Sequence, residues 1–385
     1  MDPESVLEAE RVAHGGETDR AVLDFSANTN PFVLDGVEEV YADAFSDARR
    51  YPDDGYPEFR AAAATYVDCD REYVVPTPGG LAAIRLAMET VLEPGDRALV
   101  PYPSFGEYAR EVRLQGATPL FVARESMLEA TKNLLESCSL AVVCTPNNPT
   151  GEAADVKALE RFANRCGDAG TTLLIDEAFL GFTDVPSAAS RSWGPRSADH
   201  VIVARSLTKL FGLPGLRAGF AVASGDRRDR LETARRSWCL GTPAARVGAH
   251  CLEQDSFVAA TRERVDRERG RMRAALETRF DVFPSDAPYL LCEAGDEDVS
   301  ELIETASERG VAIRDARTFR SLESHFRVAV KDRERNDRAL EALGIDLSNV
   351  EQSGVEQSDA GQSDIEPDTE QSAVEQSDVE PTGDE

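Results

Sequence analysis

Short apolar, β-branched runs recur through the middle of the chain: YVVPT (73–77), ALVP (98–101), PLFVA (119–123), LAVVCT (140–145), TTLLID (171–176), HVIVA (200–204) and GFAVA (219–223). Each is too short for a helix and lacks polar alternation, which predicts strands buried on both faces. Helical patterns fall between them, as at 80–92 and 153–168. The alternation predicts an α/β fold with a mainly parallel sheet of seven strands, covered by helices on both sides. The arginine-rich run from about 254 to 279 reads as one long exposed helix, and DVFPS, YLLCE and FRVAV after it predict the strands of a smaller α+β unit. The expected organisation is an N-terminal arm (1–35), a large domain (36–253), a small C-terminal domain (254–350) and a tail (351–385).

The tail sets itself apart by composition. It repeats an EQS/QSD theme, has no Lys, Arg or aromatic residue, and carries twelve carboxylates. Such a segment cannot bury enough apolar surface to offset its ordering entropy, so it is expected to be disordered. Of the net charge of -29, those twelve leave -17 on the remainder, so the body is acidic as well. Nucleic acid and anionic membrane surfaces are therefore excluded as general partners.

Basic residues are lopsided: four lysines (Lys132, Lys157, Lys209, Lys331) against thirty-eight arginines. An acidic, lysine-poor surface fits a halophilic protein; arginine enrichment from base composition is the other explanation. Seven scattered cysteines, odd in number and without CxxC pairs, fit a reducing interior and support neither a disulfide framework nor a metal site. The start, MDPESVLEAERVAHGG, lacks an apolar core, and no apolar run reaches membrane-spanning length. A cytoplasmic protein is expected.

In a sheet of this kind, functional groups belong at the carboxyl ends of strands. Ser206-Leu-Thr-Lys209 follows HVIVA, with Arg217 eight residues on. Such a lysine can form a Schiff base with an aldehyde cofactor while Ser206 and Arg217 hold a phosphate; a solvated lysine after a buried strand is the plain alternative. Asp176 ends TTLLID, where a carboxylate needs a cationic partner, although helix caps and metal ligands also occupy such positions. Asn148 stands in NNPTG, which alone reads as a turn. Gly80 and Leu81 open a helix after YVVPT, an anion site by its backbone amides or simply a packing turn.

Taken in order, these motifs resemble the fold-type I pyridoxal-phosphate enzymes of aminotransferase class I/II, over residues from about 12 to 345. That resemblance implies pyridoxal 5'-phosphate as cofactor and a large domain that binds it. Lys209 would be the Schiff-base lysine and proton shuttle, Asp176 the partner of the ring nitrogen, and Asn148 the donor to the phenolate oxygen. Ser206, Arg217, Gly80 and Leu81 would hold the phosphate, Phe105 in PYPSFGEY would stack on the ring, and Tyr51 would reach the phosphate of a neighbouring subunit in a homodimer. Two departures stand out: Phe179 where many relatives have tyrosine, and Leu81 where a hydroxyl residue is common.

Within that family, HGG, DFSANTNPF, RYPD, CTPNNPTG, DEAF, RSLTKLFGLPGLRAG and a late IRD and FRVAVK resemble the L-threonine-O-3-phosphate decarboxylases. This implies a small phosphorylated amino acid as substrate, held by Arg327, Arg314, Asn28 and His14, and a product used in cobalamin biosynthesis. The histidinol-phosphate aminotransferases share the cofactor motifs and are the alternative.

If the acidic surface is an adaptation to salt, unfolding midpoint and activity should both rise with KCl from low to molar concentration. Full stability and activity at low ionic strength would leave base composition as the explanation.

Overall fold

The computed structural model describes residues 1–191, 193 and 199–347, so the expected acidic tail lies outside the described residues. A two-residue strand, β1 (Leu23–Asp24), precedes the main sheet. That sheet is built from β2 (Val74–Thr77), β3 (Arg97–Tyr102), β4 (Thr118–Ala123), β5 (Leu140–Cys144), β6 (Thr172–Asp176), β7 (Val201–Ser206) and β8 (Gly219–Val222). Five short strands follow: β9 (Asp281–Val282), β10 (Tyr289–Glu293), β11 (Val311–Ala312), β12 (Arg314–Asp315) and β13 (His325–Ala329). The seven strands lie in the order β2-β8-β7-β6-β5-β3-β4, all parallel except β8, which runs antiparallel to both its neighbours.

The apolar runs become strands because both sheet faces are covered. Ala141, Val143, Leu173, Ile175, Val201 and Val203 enter one core cluster, while Leu140, Val142, Leu174, Ile202 and Ala204 enter the other. Alternate residues thus serve opposite faces, and each buried aliphatic side chain contributes ~1.5–3 kcal/mol. The helix Val156–Ala169 shows the local logic. Asp155 caps its start by accepting from the Ala158 amide at 2.8 Å, Gly170 ends it at a φ of 73°, and Leu159, Phe162, Ala163 and Cys166 form its buried stripe.

Two expectations need correction. The helix Asp255–Leu276 is not exposed all round: Val258, Thr261, Val265, Glu268, Met272, Ala275 and Leu276 are buried, a stripe the surrounding arginines concealed in the sequence. The second sheet is also larger than the expected three strands, with the order β12-β13-β10-β9, and β1 pairs separately with β11. Residues Met1–Ile345 form one compact unit containing all three sheets.

Gly219 marks a close backbone crossing at the start of β8. A Cβ there would lie 2.7 Å from the Arg205 carbonyl oxygen and 2.8 Å from the Gly80 amide nitrogen. Gly219→Ala should therefore destabilise by ~1–3 kcal/mol in urea unfolding. Gly270→Ala, in the Asp255–Leu276 helix with nothing near its Cβ, should instead stabilise by ~0.5–1 kcal/mol; equal effects would refute the crowding argument.

Candidate active site

The ends of β2, β5, β6 and β7 open onto one cavity of about 330 Å³. Thirteen site residues were expected, and twelve line it: His14, Asn28, Gly80, Leu81, Phe105, Asn148, Asp176, Ser206, Lys209, Arg217, Arg314 and Arg327. The thirteenth, Tyr51, does not; it is 79% exposed and stacks on Trp238 with ring centroids 4.4 Å apart.

One end of the cavity is an anion cradle. Gly79 caps the helix Gly80–Val91 at a φ of 96° and, having no side chain, leaves the helix N-terminus without a side-chain cap. A Cβ on Gly79 would lie 2.7 Å from Arg217 Nη2, so only glycine lets that guanidinium approach the turn. Arg217 itself sits in the left-handed region at φ 54°, a conformation that costs a non-glycine residue ~1–2 kcal/mol. The Ser206 and Thr208 hydroxyls share a hydrogen bond of 2.9 Å beside it.

Across the cavity lies Asp176, the single carboxylate among the lining residues. Tyr108 Oη donates to its Oδ2 at 2.6 Å, and the Ala178 amide donates to Oδ1 at 3.0 Å. Burial still pushes the carboxyl above its usual range, against those two hydrogen bonds. Burying a carboxylate costs several kcal/mol, whereas each hydrogen bond to a charge returns ~1.5–3 kcal/mol, so the arrangement lacks a cation. A protonated ring nitrogen would supply one.

Lys209 is the opposite case. Among the described residues its Nζ has neither a hydrogen-bond nor a carboxylate partner, and burial, then Arg327 and Arg217, bring the amine down to about 8. A neutral primary amine in a cavity is a nucleophile for a carbonyl carbon.

Asn148, whose peptide bond to Pro149 is cis, presents its side-chain carbonyl to Arg327 Nη1, which orients the amide. Arg327 Nη2 also donates to the Ser26 carbonyl at 3.0 Å. Arg314 and Arg327 stand directly opposite each other across β12 and β13, and their guanidinium carbons lie 5.7 and 5.8 Å from the ring of Phe319. Like charges in that register destabilise a sheet. Neither forms an ion pair among the described residues, and burial holds both guanidiniums below their ordinary range, Arg327 to about 10.

The N-terminal arm closes one side. Arg314 Nη2 donates to the Ala13 carbonyl at 2.7 Å and to Thr318 Oγ1 at 2.9 Å, and His14 Nε2 lies 2.9 Å from Glu107 Oε1. Asn28 is 3% exposed, with its Oδ1 lacking a protein partner. Phe105 lies edge-on to Tyr108 at 5.6 Å, and Phe179 edge-on to Tyr289 at 5.1 Å.

Sequence reasoning missed Tyr108, Glu107, Phe319 and Thr318. Tyr108 stands in the same GEY segment that drew attention to Phe105, but its partner is 68 residues away, and only the fold shows the contact.

The family model described as Aminotransferase class I and II matches residues 20–343. Among curated relatives, histidinol-phosphate aminotransferase 2 of Archaeoglobus fulgidus is 30% identical over 84% of this chain and 93% of that protein. Threonine-phosphate decarboxylase of Salmonella typhimurium is 30% identical over 86% of this chain and 95% of that protein. The crystal structure of L-threonine-O-3-phosphate decarboxylase from Porphyromonas gingivalis superposes with a TM-score of 0.74 at 23% identity, over 84% of this chain and 98% of that one.

The lowered Lys209 amine gives a direct check. In the protein without added ligand, Lys209-specific labelling by an amine-reactive reagent should rise with pH around a midpoint near 8, because only the unprotonated amine reacts. A midpoint near that of an ordinary exposed lysine, ~10.4, would show that the group is not desolvated.

Proposed function

The chain belongs to the aminotransferase class I and II family of pyridoxal-phosphate enzymes, and from that premise we propose that it decarboxylates L-threonine O-3-phosphate to (R)-1-amino-2-propanol phosphate, an intermediate for cobalamin. The cavity suits that cofactor on its own terms: a glycine turn that a Cβ would fill, a buried carboxylate short of a cation, and an unpaired amine. Lys209 would carry the aldehyde carbon, Asp176 the ring nitrogen, Asn148 the phenolate oxygen, and Ser206, Arg217, Gly80 and Leu81 the phosphate. Phe105 would cover the ring. When bound, pyridoxal phosphate supplies an electron sink for the bond broken at the substrate Cα.

The observation that carries the reading is the pair of unneutralised arginines facing each other across β12 and β13. An amino-acid phosphate brings two anionic groups, a carboxylate and a phosphate, and so gives each guanidinium a bidentate partner. Arg327, which also orients Asn148, would take the carboxylate; Arg314, with His14 and Asn28, would take the phosphate. By fixing how the substrate Cα is presented to the cofactor, this allocation of anions would decide whether CO2 or the Cα proton leaves. Lys209 Nζ would then return a proton to Cα.

A second reading, histidinol-phosphate transamination with 2-oxoglutarate, is supported by relatives of equal identity. A homodimer fits either reading: exposed Tyr51 and Trp238 lie together, and Trp238 and Arg217 share the lining of an adjoining open cavity. Tyr51 would there reach the partner's phosphate site.

With L-threonine O-3-phosphate as sole substrate, the purified protein should release CO2 in step with amine formation. Arg314→Gln should lower kcat/KM by about ten- to hundredfold, the scale of lost hydrogen bonds between charged groups. Glutamate formed from histidinol phosphate and 2-oxoglutarate, with no CO2 from threonine phosphate, would replace the first reading with the second.

A further inference from the structure

Asp176 is the cavity's one carboxylate, and the donors around it are few. Tyr108 Oη, on the helix Glu107–Leu114, donates at 2.6 Å, and the Ala178 amide at 3.0 Å completes the set. Tyr108 is completely buried, so its hydroxyl has no access to bulk water. Cys144, at the end of β5, lies beside the pair and directs its thiol to the Pro146 carbonyl at 3.3 Å. Burial pushes the Cys144 thiol and the Tyr108 phenol well up, so both remain neutral near neutral pH. Behind them, Glu177 is already paired with Arg205 at 2.8 Å, which leaves that charge committed elsewhere.

We propose that Tyr108 is a positioning residue that keeps Asp176 ionised and so holds the shared proton on the cofactor's ring nitrogen rather than on the carboxyl. The inference rests on the pyridoxal-phosphate reading of the cavity and is indifferent to which substrate bond is broken. Its physical basis is a competition for one proton. A buried carboxylate facing a ring nitrogen can accept the proton itself, leaving two neutral partners. That outcome is favoured when the carboxylate has few donors, because a neutral carboxyl is the cheaper species in a low dielectric. A phenol donating to Oδ2 stabilises the charged form specifically. Removing it leaves the Ala178 amide alone, and the proton moves to Asp176. The ring then loses the positive charge that makes it an electron sink.

A phenylalanine would fill nearly the same space, so packing alone does not account for the hydroxyl. Each oxygen of Asp176 has one donor of its own, so loss of the phenol leaves Oδ2 without any.

The test is ¹⁵N NMR of the holoenzyme reconstituted with pyridoxal phosphate labelled at the ring nitrogen, for wild type, Tyr108→Phe, Asp176→Asn and the double variant. Wild type should give a pyridinium shift, and Tyr108→Phe a shift displaced towards neutral pyridine at the same pH, with kcat down about tenfold and KM changed less than twofold. That fall is the scale of one hydrogen bond to a charged group. The double variant should match Asp176→Asn, because the hydroxyl acts only through the carboxylate. A pyridinium shift unchanged in Tyr108→Phe overturns the proposal, as does a double variant in which the two losses add. If Tyr108→Phe merely lowers the melting temperature while the nitrogen shift stays put, the hydroxyl is structural and the proposal fails. The nitrogen shift is read without substrate turnover, and kcat and KM are taken with whichever substrate the protein turns over, so a protein that proves to be an aminotransferase still decides the question.

Discussion

The site depends on positive charge left unneutralised inside a strongly acidic protein. Many arginines elsewhere are matched to carboxylates, as in Arg85–Glu111, Arg271–Glu268 and the buried Arg205–Glu177 pair. Around the cavity the pattern stops: Lys209, Arg314 and Arg327 have no carboxylate partner among the described residues. Desolvation lowers the proton affinity of all three, and neighbouring cations lower that of Lys209 and Arg327 further, a cost that the fold bears in the absence of ligand. Anions bound there would remove it, so a net charge of -29 is compatible with an anionic cofactor and with the anionic substrate proposed above.

That constraint explains how the rest of the fold is arranged. The parallel strands end at one edge, so helix N-termini and turn amides reinforce the field instead of opposing it. The antiparallel β8 brings Gly219 against the Gly79–Gly80 turn, and Arg217 just before it reaches the same turn. The second sheet contributes the opposed arginines, while the N-terminal arm, held through Ala13 and His14, narrows access to them. One carboxylate, Asp176, is retained within this field, where it accepts hydrogen bonds from Tyr108 and the Ala178 amide.

Much of this was legible in the sequence because it is local. A strand buried on both faces reads as a continuous apolar run, and a residue lining the cavity beyond its end is marked by the break in that run; Asp176, Asn148 and Lys209 were picked out in this way. Of the four missed residues, Tyr108 and Glu107 act through contacts with distant segments, whereas Thr318 and Phe319 lie near Arg314 in sequence. Tyr108 meets Asp176 only in the folded chain, and Phe319 stands out only once strand register places Arg314 opposite Arg327. The same limit explains the helix Asp255–Leu276, where long arginine side chains surround a buried stripe and mask its period.

The most direct measurement of the central claim is a crystal structure with L-threonine O-3-phosphate bound. The account predicts the phosphate on Arg314 and the carboxylate on Arg327, with the carboxylate held out of the plane of the cofactor ring. Both anions on one arginine, or a carboxylate lying in that plane with the Cα proton perpendicular to it, would contradict the account.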